Sequence, residues 1–247
     1  AADHVVEDLH GRVDWIVDGG PCPVGVESTV LDVTADPPVV LRPGGVTLDA
    51  LREVVGRVAL HPAVLGGPAG RPASPGMAYR HYAPRAPAWL IRGEPGELPG
   101  AVERLVAAAA ARGLRVGVLA ALEDAGAYRA HVVRLAGTRH DPPTVAAGLF
   151  RALREFDRDG VDLVVVPYPA GEGAPGEAGA GGAPGGDADA GTGAGGAPGD
   201  LRLAVLNRLL RACSGRQLAA AEVLAGRIPP EVVTRPAAGG GGGDGEG

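Results

Sequence analysis

Residues 161–169 read VDLVVVPYP. An unbroken apolar, β-branched run of this length has no polar face, so it predicts a strand covered on both sides, as in the interior of a parallel sheet. Working outward, AWLIRG at 88–93, LRVGVLA at 114–120 and HVVRLAG at 131–137 read as further strands. Between them ELPGAVERLVAAAAARG at 97–113 has helical composition, and a second helix is expected from about 144 to 159. LRLAVLNRLLRAC at 201–213 places apolar residues three and four apart, the pattern of a closing amphipathic helix. Strands alternating with helices in this way predict a small doubly wound α/β domain over 88–213.

Residues 172–200, EGAPGEAGAGGAPGGDADAGTGAGGAPGD, interrupt that domain. They carry almost no side chain able to enter a core, so ordering them would cost entropy without compensating burial, and a disordered insertion is expected. A tail is expected over 214–247, and its part after about Thr234, ending GGGGGDGEG, reads as disordered on the same ground.

Residues 1–60 alternate shorter elements. Val5, Val6 and Leu9 sit at helical spacing and Gly11 supplies a stop. VDWIVDGG at 13–20 reads as a buried strand ending in a glycine turn, GVESTVLDVT at 25–34 as a β-branched strand, and VVLRPGG at 39–45 as a short strand broken by its Pro-Gly-Gly. Thr47 is placed to cap a helix through LDALREVVG. This segment is too small to bury both faces of its own sheet. Residues 61–87 are rich in Pro and Gly and read as a linker, unusual in carrying Tyr79, His81 and Tyr82 close together.

Composition narrows the chemistry. All 23 basic residues are Arg, so the Lys that a Walker-type phosphate loop needs is missing. A net charge of -6 gives no footprint for broad nonspecific RNA binding, leaving only a local Arg patch for an RNA partner. Cys22 and Cys213 lie far apart without metal-ligand spacing and read as reduced thiols. No apolar run approaches the roughly 20 residues of a membrane span, and the expected location is cytoplasmic.

Three stretches hold candidate chemistry. The glycine turn and strand DGGPCPVGVESTVLD present backbone N–H groups and the hydroxyls of Ser28 and Thr29, suited to a zwitterion or a phosphate oxygen. Arg42 ends an apolar strand at a rigid Pro-Gly turn, where a guanidinium can fork onto phosphate. In SPGMAYRHYAP, tyrosines on a Pro-stiffened strap can cover a base or close a pocket. The plain alternatives are ordinary strand hydroxyls, a surface Arg and a docked linker, with His81 structural.

In this order, the stretches 1–32, LRPGG and SPGMAYRHYAP resemble the end of a YrdC-type domain and the linker of the two-domain threonylcarbamoyl-AMP synthases. VDLVVVPYP, GEG and LAVLNRLLRA resemble the Rossmann-like C-terminal domain of the same family. The resemblance implies an α/β fold comprising the C-terminal part of a YrdC-type catalytic domain (1–60), the linker and the Rossmann-like domain. It implies a nucleotidyltransferase that joins L-threonine, bicarbonate and ATP into threonylcarbamoyl-AMP with release of pyrophosphate. Transfer proteins then modify the tRNA adenosine next to the anticodon. By position, Ser28 matches the threonine contact, and Arg42, Tyr82 and then Tyr79 match the ATP contacts. Mg²⁺ is expected to accompany ATP, yet no carboxylate pair stands out as its ligand. The family's basic triphosphate motif has no counterpart here, so an N-terminally truncated chain, inactive alone, is expected. Two alternatives remain at this point: a noncatalytic nucleotide- or partner-binding α/β module, and a carbamoyltransferase using a YrdC-type domain.

Overall fold

The computed structural model describes residues 2–20, 22, 24–68, 83–170, 172 and 201–235. Its larger sheet has five parallel strands. They are β4 (Ala88–Gly93), β5 (Val116–Ala120), β6 (Val132–Leu135), β7 (Leu163–Pro169) and β8 (Gln217–Ala219), in the order β6-β5-β7-β4-β8. β7, whose sequence reads as a core strand, pairs on both sides and is buried at every residue. The period of two sorts its side chains cleanly. Val164, Val166 and Tyr168 face one core, and Leu163 and Val165 face the other.

The first core is closed by α4 (Pro142–Asp159) and α5 (Arg202–Ala212). The second is closed by α3 (Leu98–Ala110) and the short α6 (Ala220–Leu224). The amphipathic pattern of α4 lines up Leu149, Leu153 and Phe156 against the sheet, and Gly160, at φ 63°, ends the helix in the left-handed region. The doubly wound reading therefore matches the architecture.

The expected tail gives way at its start. Residues 217–219 pair with Leu90–Arg92 of β4 as the outermost strand, and Val223, Val232 and Val233 are buried in the second core. QLA is too short to announce a strand by its own periodicity; the open edge of β4 supplies what the sequence pattern lacks. Residues 236–247 lie outside the described set, as do 173–200 of the expected insertion.

Ahead of this sheet, α1 (Ala2–Leu9) is followed by a small sheet of β1 (Val30–Asp32), β2 (Val39–Arg42) and β3 (Ala59–Leu60). β2 pairs antiparallel with β1 and parallel with β3. α2 (Leu48–Val55) starts where expected, with Thr47 Oγ1 accepting from Ala50 N at 3.3 Å. Residues 13–20 do not form the expected buried strand: Trp15 is 89% and Val17 90% exposed, and among the described residues no strand lies beside them. β-Branched residues favour extended backbone, but a ladder partner and a covering layer make a strand.

The front segment docks on the larger unit at several places. Arg154 of α4 forks onto Asp8 of α1, at 3.0 and 2.5 Å. Gly25, at φ 73°, brings its backbone against α4 at Ala147, where a Cβ would overlap main-chain atoms. A 3-10 turn at Pro62–Leu65 then packs on α5.

Candidate functional site

β2 delivers Arg42 to the site. Val40 and Leu41 are buried and anchor the strand, and Pro43 and Gly44 follow in a buried turn. Gly44 lets that turn press against the neighbouring chain. A Cβ there would lie 2.5 Å from the Ser28 carbonyl carbon and 2.6 Å from Thr29 N. The approach puts the Arg42 guanidinium beside Ser28: Nε donates to the Ser28 carbonyl at 3.0 Å and Nη2 to Ser28 Oγ at 3.3 Å. Among the described residues, Arg42 forms no ion pair. The guanidinium thus keeps its charge for a ligand, while its orientation is fixed by one backbone carbonyl and one hydroxyl.

Ser28 is exposed and Arg42 half-buried, so both border solvent. Thr29 is placed differently. Its hydroxyl donates to Val46 O at 2.6 Å and accepts from Val46 N at 3.1 Å, which ties the strand to the LRPGG turn. That use makes Thr29 a brace and leaves Ser28 as the exposed hydroxyl. Gly20, at φ 86°, accepts the tight turn expected of DGG, and its N–H donates to Asp18 Oδ1 at 2.8 Å. Tyr79, His81 and Tyr82 lie outside the described residues.

One arrangement at this site escapes the sequence reading. Arg208 of α5 is 2% exposed and donates through Nε to Glu27 Oε2 at 2.6 Å, next to Ser28. Its Nη1 donates to Asn207 Oδ1 at 2.8 Å, and Asn207 Nδ2 donates to the Val64 carbonyl at 2.8 Å. Among the described residues, Arg208 Nη2 is buried without a hydrogen-bond partner. The available signal was an Asn-Arg pair in the middle of LAVLNRLLRA, polar residues where the helix is otherwise apolar. The first core therefore reaches the segment that carries Ser28, just ahead of β1, through a charged bolt; of the strand expected over 25–34 only Val30–Asp32 forms.

The cysteines play no part in this cluster. Cys22 is exposed, and Cys213 is buried, with its thiol pushed up to about 12 by burial. Because the thiolate is the reactive form, Ellman's reagent should titrate one thiol per native chain and two after unfolding. Rapid native reaction of both would contradict this burial. Among the described residues no group of three or more His, Cys, Asp or Glu could hold a metal ion, and no helix is long and apolar enough to cross a membrane.

Comparison with known proteins adds the following. Residues 46–180 match the family described as threonylcarbamoyl-AMP synthase, C-terminal domain, and residues 1–44 match one described as telomere recombination. A Bacillus subtilis (strain 168) protein named threonylcarbamoyl-AMP synthase is 40% identical over 216 residues, covering 87% of this chain and 53% of that protein. A Pyrococcus abyssi protein of the same name is 41% identical over 165 residues, covering 67% and 47%. The crystal structure of P. abyssi Sua5 complexed with L-threonine superposes with a TM-score of 0.68 at 36% identity, over 88% of this chain and 54% of that one. The chain spans about half the length of the curated relatives it matches.

Proposed function

Since this chain belongs to the threonylcarbamoyl-AMP synthase family, we propose that it contributes to the synthesis of threonylcarbamoyl-AMP from L-threonine, bicarbonate and ATP. The observation carrying this reading is the pairing of Arg42 with Ser28 at a turn packed so closely that only glycine fits. Ser28 Oγ takes a polar group of threonine. Arg42 holds the nucleotide phosphates, supported by charge-assisted hydrogen bonds. Tyr82, and next Tyr79, reach ATP from the linker.

The chemistry is positioning. An oxygen of threonine carbamate attacks the α-phosphorus, the new P–O bond forms, and the bond to the leaving pyrophosphate breaks in line. Mg²⁺ would travel with the triphosphate. The described residues offer it no ligand cluster, so no step in this chain is assigned to it. The product serves transfer proteins that modify the tRNA adenosine next to the anticodon, in the cytoplasm.

The test joins this chain behind the front half of the B. subtilis relative and measures pyrophosphate release with ATP, threonine and bicarbonate. Release should depend on threonine. Ser28→Ala should raise the threonine KM and Arg42→Ala the ATP KM, each by roughly tenfold, the scale of a hydrogen bond involving a charged group. ATP binding without threonine-dependent release would favour a noncatalytic module. Release indifferent to both substitutions would remove Ser28 and Arg42 from the site.

A further inference from the structure

A second concave site lies away from Ser28 and Arg42, at the carboxyl ends of β5, β6 and β7. It is an open cleft of about 540 Å³, counting the solvent at its mouth, between the first turns of α4 and α5. Leu119, Ala136, Leu149, Val166 and Val205 wall it. The mouth is charged instead, with Arg139, Arg202 and Glu172. An apolar slot with a few convergent polar groups is the ordinary form of a small-molecule site, and α/β sheets bind ligands beyond the carboxyl ends of their strands.

The mouth carries both signs of charge, with Arg139 and Arg202 beside Glu172. α4 and α5 both begin there, and among the described residues neither start receives a side-chain cap, from Asp141 or from Leu201. The positive ends of both helices thus remain directed at the opening. Arg139 is held rigidly, its Nη2 donating to Asp124 Oδ1 at 2.8 Å and its Nη1 to Asp124 Oδ2. Glu172, which the sequence reading assigns to a disordered insertion, sits half-buried 3.7 Å from Arg139 Nε. Burial raises its carboxyl above the ordinary range, with Arg139 and Arg202 pulling it down and the Asp124 and Glu123 carboxylates adding to the rise. The Glu172 carboxylate nevertheless lies beside the Arg139 guanidinium, where an anionic group of a ligand would meet the same cation.

We propose that this cleft is a second ligand site, for a small molecule with a flat apolar body and an anionic head, of the nucleoside monophosphate class, with the Glu172 carboxylate standing where the ligand's phosphate sits when bound. The apolar walls take the base, and the two helix starts with Arg139 and Arg202 take the phosphate. Glu172 must swing out or take up a proton for the ligand to enter, so it acts as a built-in competitor. This inference does not rest on the Ser28–Arg42 reading.

The experiment is calorimetric titration of the 247-residue chain with AMP, adenosine and inorganic phosphate, each variant first checked by thermal melting. AMP should bind at least about tenfold more tightly than adenosine or phosphate, because each of these lacks one half of the match. Glu172→Gln should tighten AMP at least about threefold by removing the competing charge. Ala121→Phe, which fills the slot from the end of β5 without touching a charge, should weaken AMP more than about tenfold. In Arg42→Ala one equivalent of AMP should still bind, at the cleft, whatever AMP the Ser28–Arg42 site takes. Adenosine binding as well as AMP would overturn the anionic assignment. AMP binding to neither the native chain nor Glu172→Gln, both folded, would overturn the site. Loss of AMP with Arg42→Ala but not with Ala121→Phe would place the nucleotide at Arg42, overturning this inference while supporting the proposed function.

Discussion

Arg208→Met should lower the melting temperature by roughly 5–10 °C, the equivalent of about 2–3 kcal/mol in a chain of this size. Met fills much of the arginine's volume, so the loss comes from polar groups. Glu27 Oε2 and Asn207 Oδ1 each lose a donor. The Glu27 side chain retains 28% exposure and partly rehydrates, which keeps the cost toward the low end for a broken buried pair. Arg208→Met/Glu27→Gln should recover a good part of the loss, since removing both charges leaves neither stranded. A double-mutant cycle should give a coupling of about 1–3 kcal/mol. Melting curves decide the matter: a single substitution that moves the midpoint by less than a degree, or a double mutant strictly additive in the singles, contradicts the pairing.

Gly44→Ala should be at least as damaging, for a steric reason. The new methyl would sit 2.5 Å from the Ser28 carbonyl carbon and 2.6 Å from Thr29 N, and closer still to the Glu27 carbonyl oxygen. All three are backbone atoms, so no rotamer change relieves the overlap. The turn must back away, stretching the Arg42 Nε to Ser28 carbonyl contact and the Thr29–Val46 brace. The expected loss is about 2–4 kcal/mol, read as a lower denaturation midpoint. Gly45→Ala is the control. A Cβ there meets only the Val24 side chain, at 3.3 Å, which can yield. Equal tolerance at both positions would contradict the close packing of LRPGG on residues 27–29.

These two substitutions mark the line between what the sequence discloses and what it withholds. VDLVVVPYP declares its environment because a strand buried on both faces must be apolar throughout. Thr47 declares a helix start because capping is local chemistry. Ser28 and Arg42 lie fourteen residues apart on neighbouring chain segments; the sequence marks Arg42 by the Pro-Gly turn that follows it, and the geometry supplies the meeting with Ser28. Residues 13–20 mislead for the opposite reason: their β-branched pattern is genuine, but a strand depends on a partner that the pattern cannot report. The Arg208–Glu27 pair joins residues 181 apart, and periodicity carries no information over that distance. Glu172 is misread because its neighbours are Gly and Ala, and composition averages away one well-placed carboxylate.

The lateness of β8 has a price during synthesis. Strand β4 lies inside the finished sheet, yet its outer flank is sealed only by Gln217–Ala219. A ribosome working at ordinary speed needs on the order of ten seconds to travel from one to the other. Throughout that interval a nascent chain trails an unpaired row of main-chain donors and acceptors, open to another polypeptide emerging nearby.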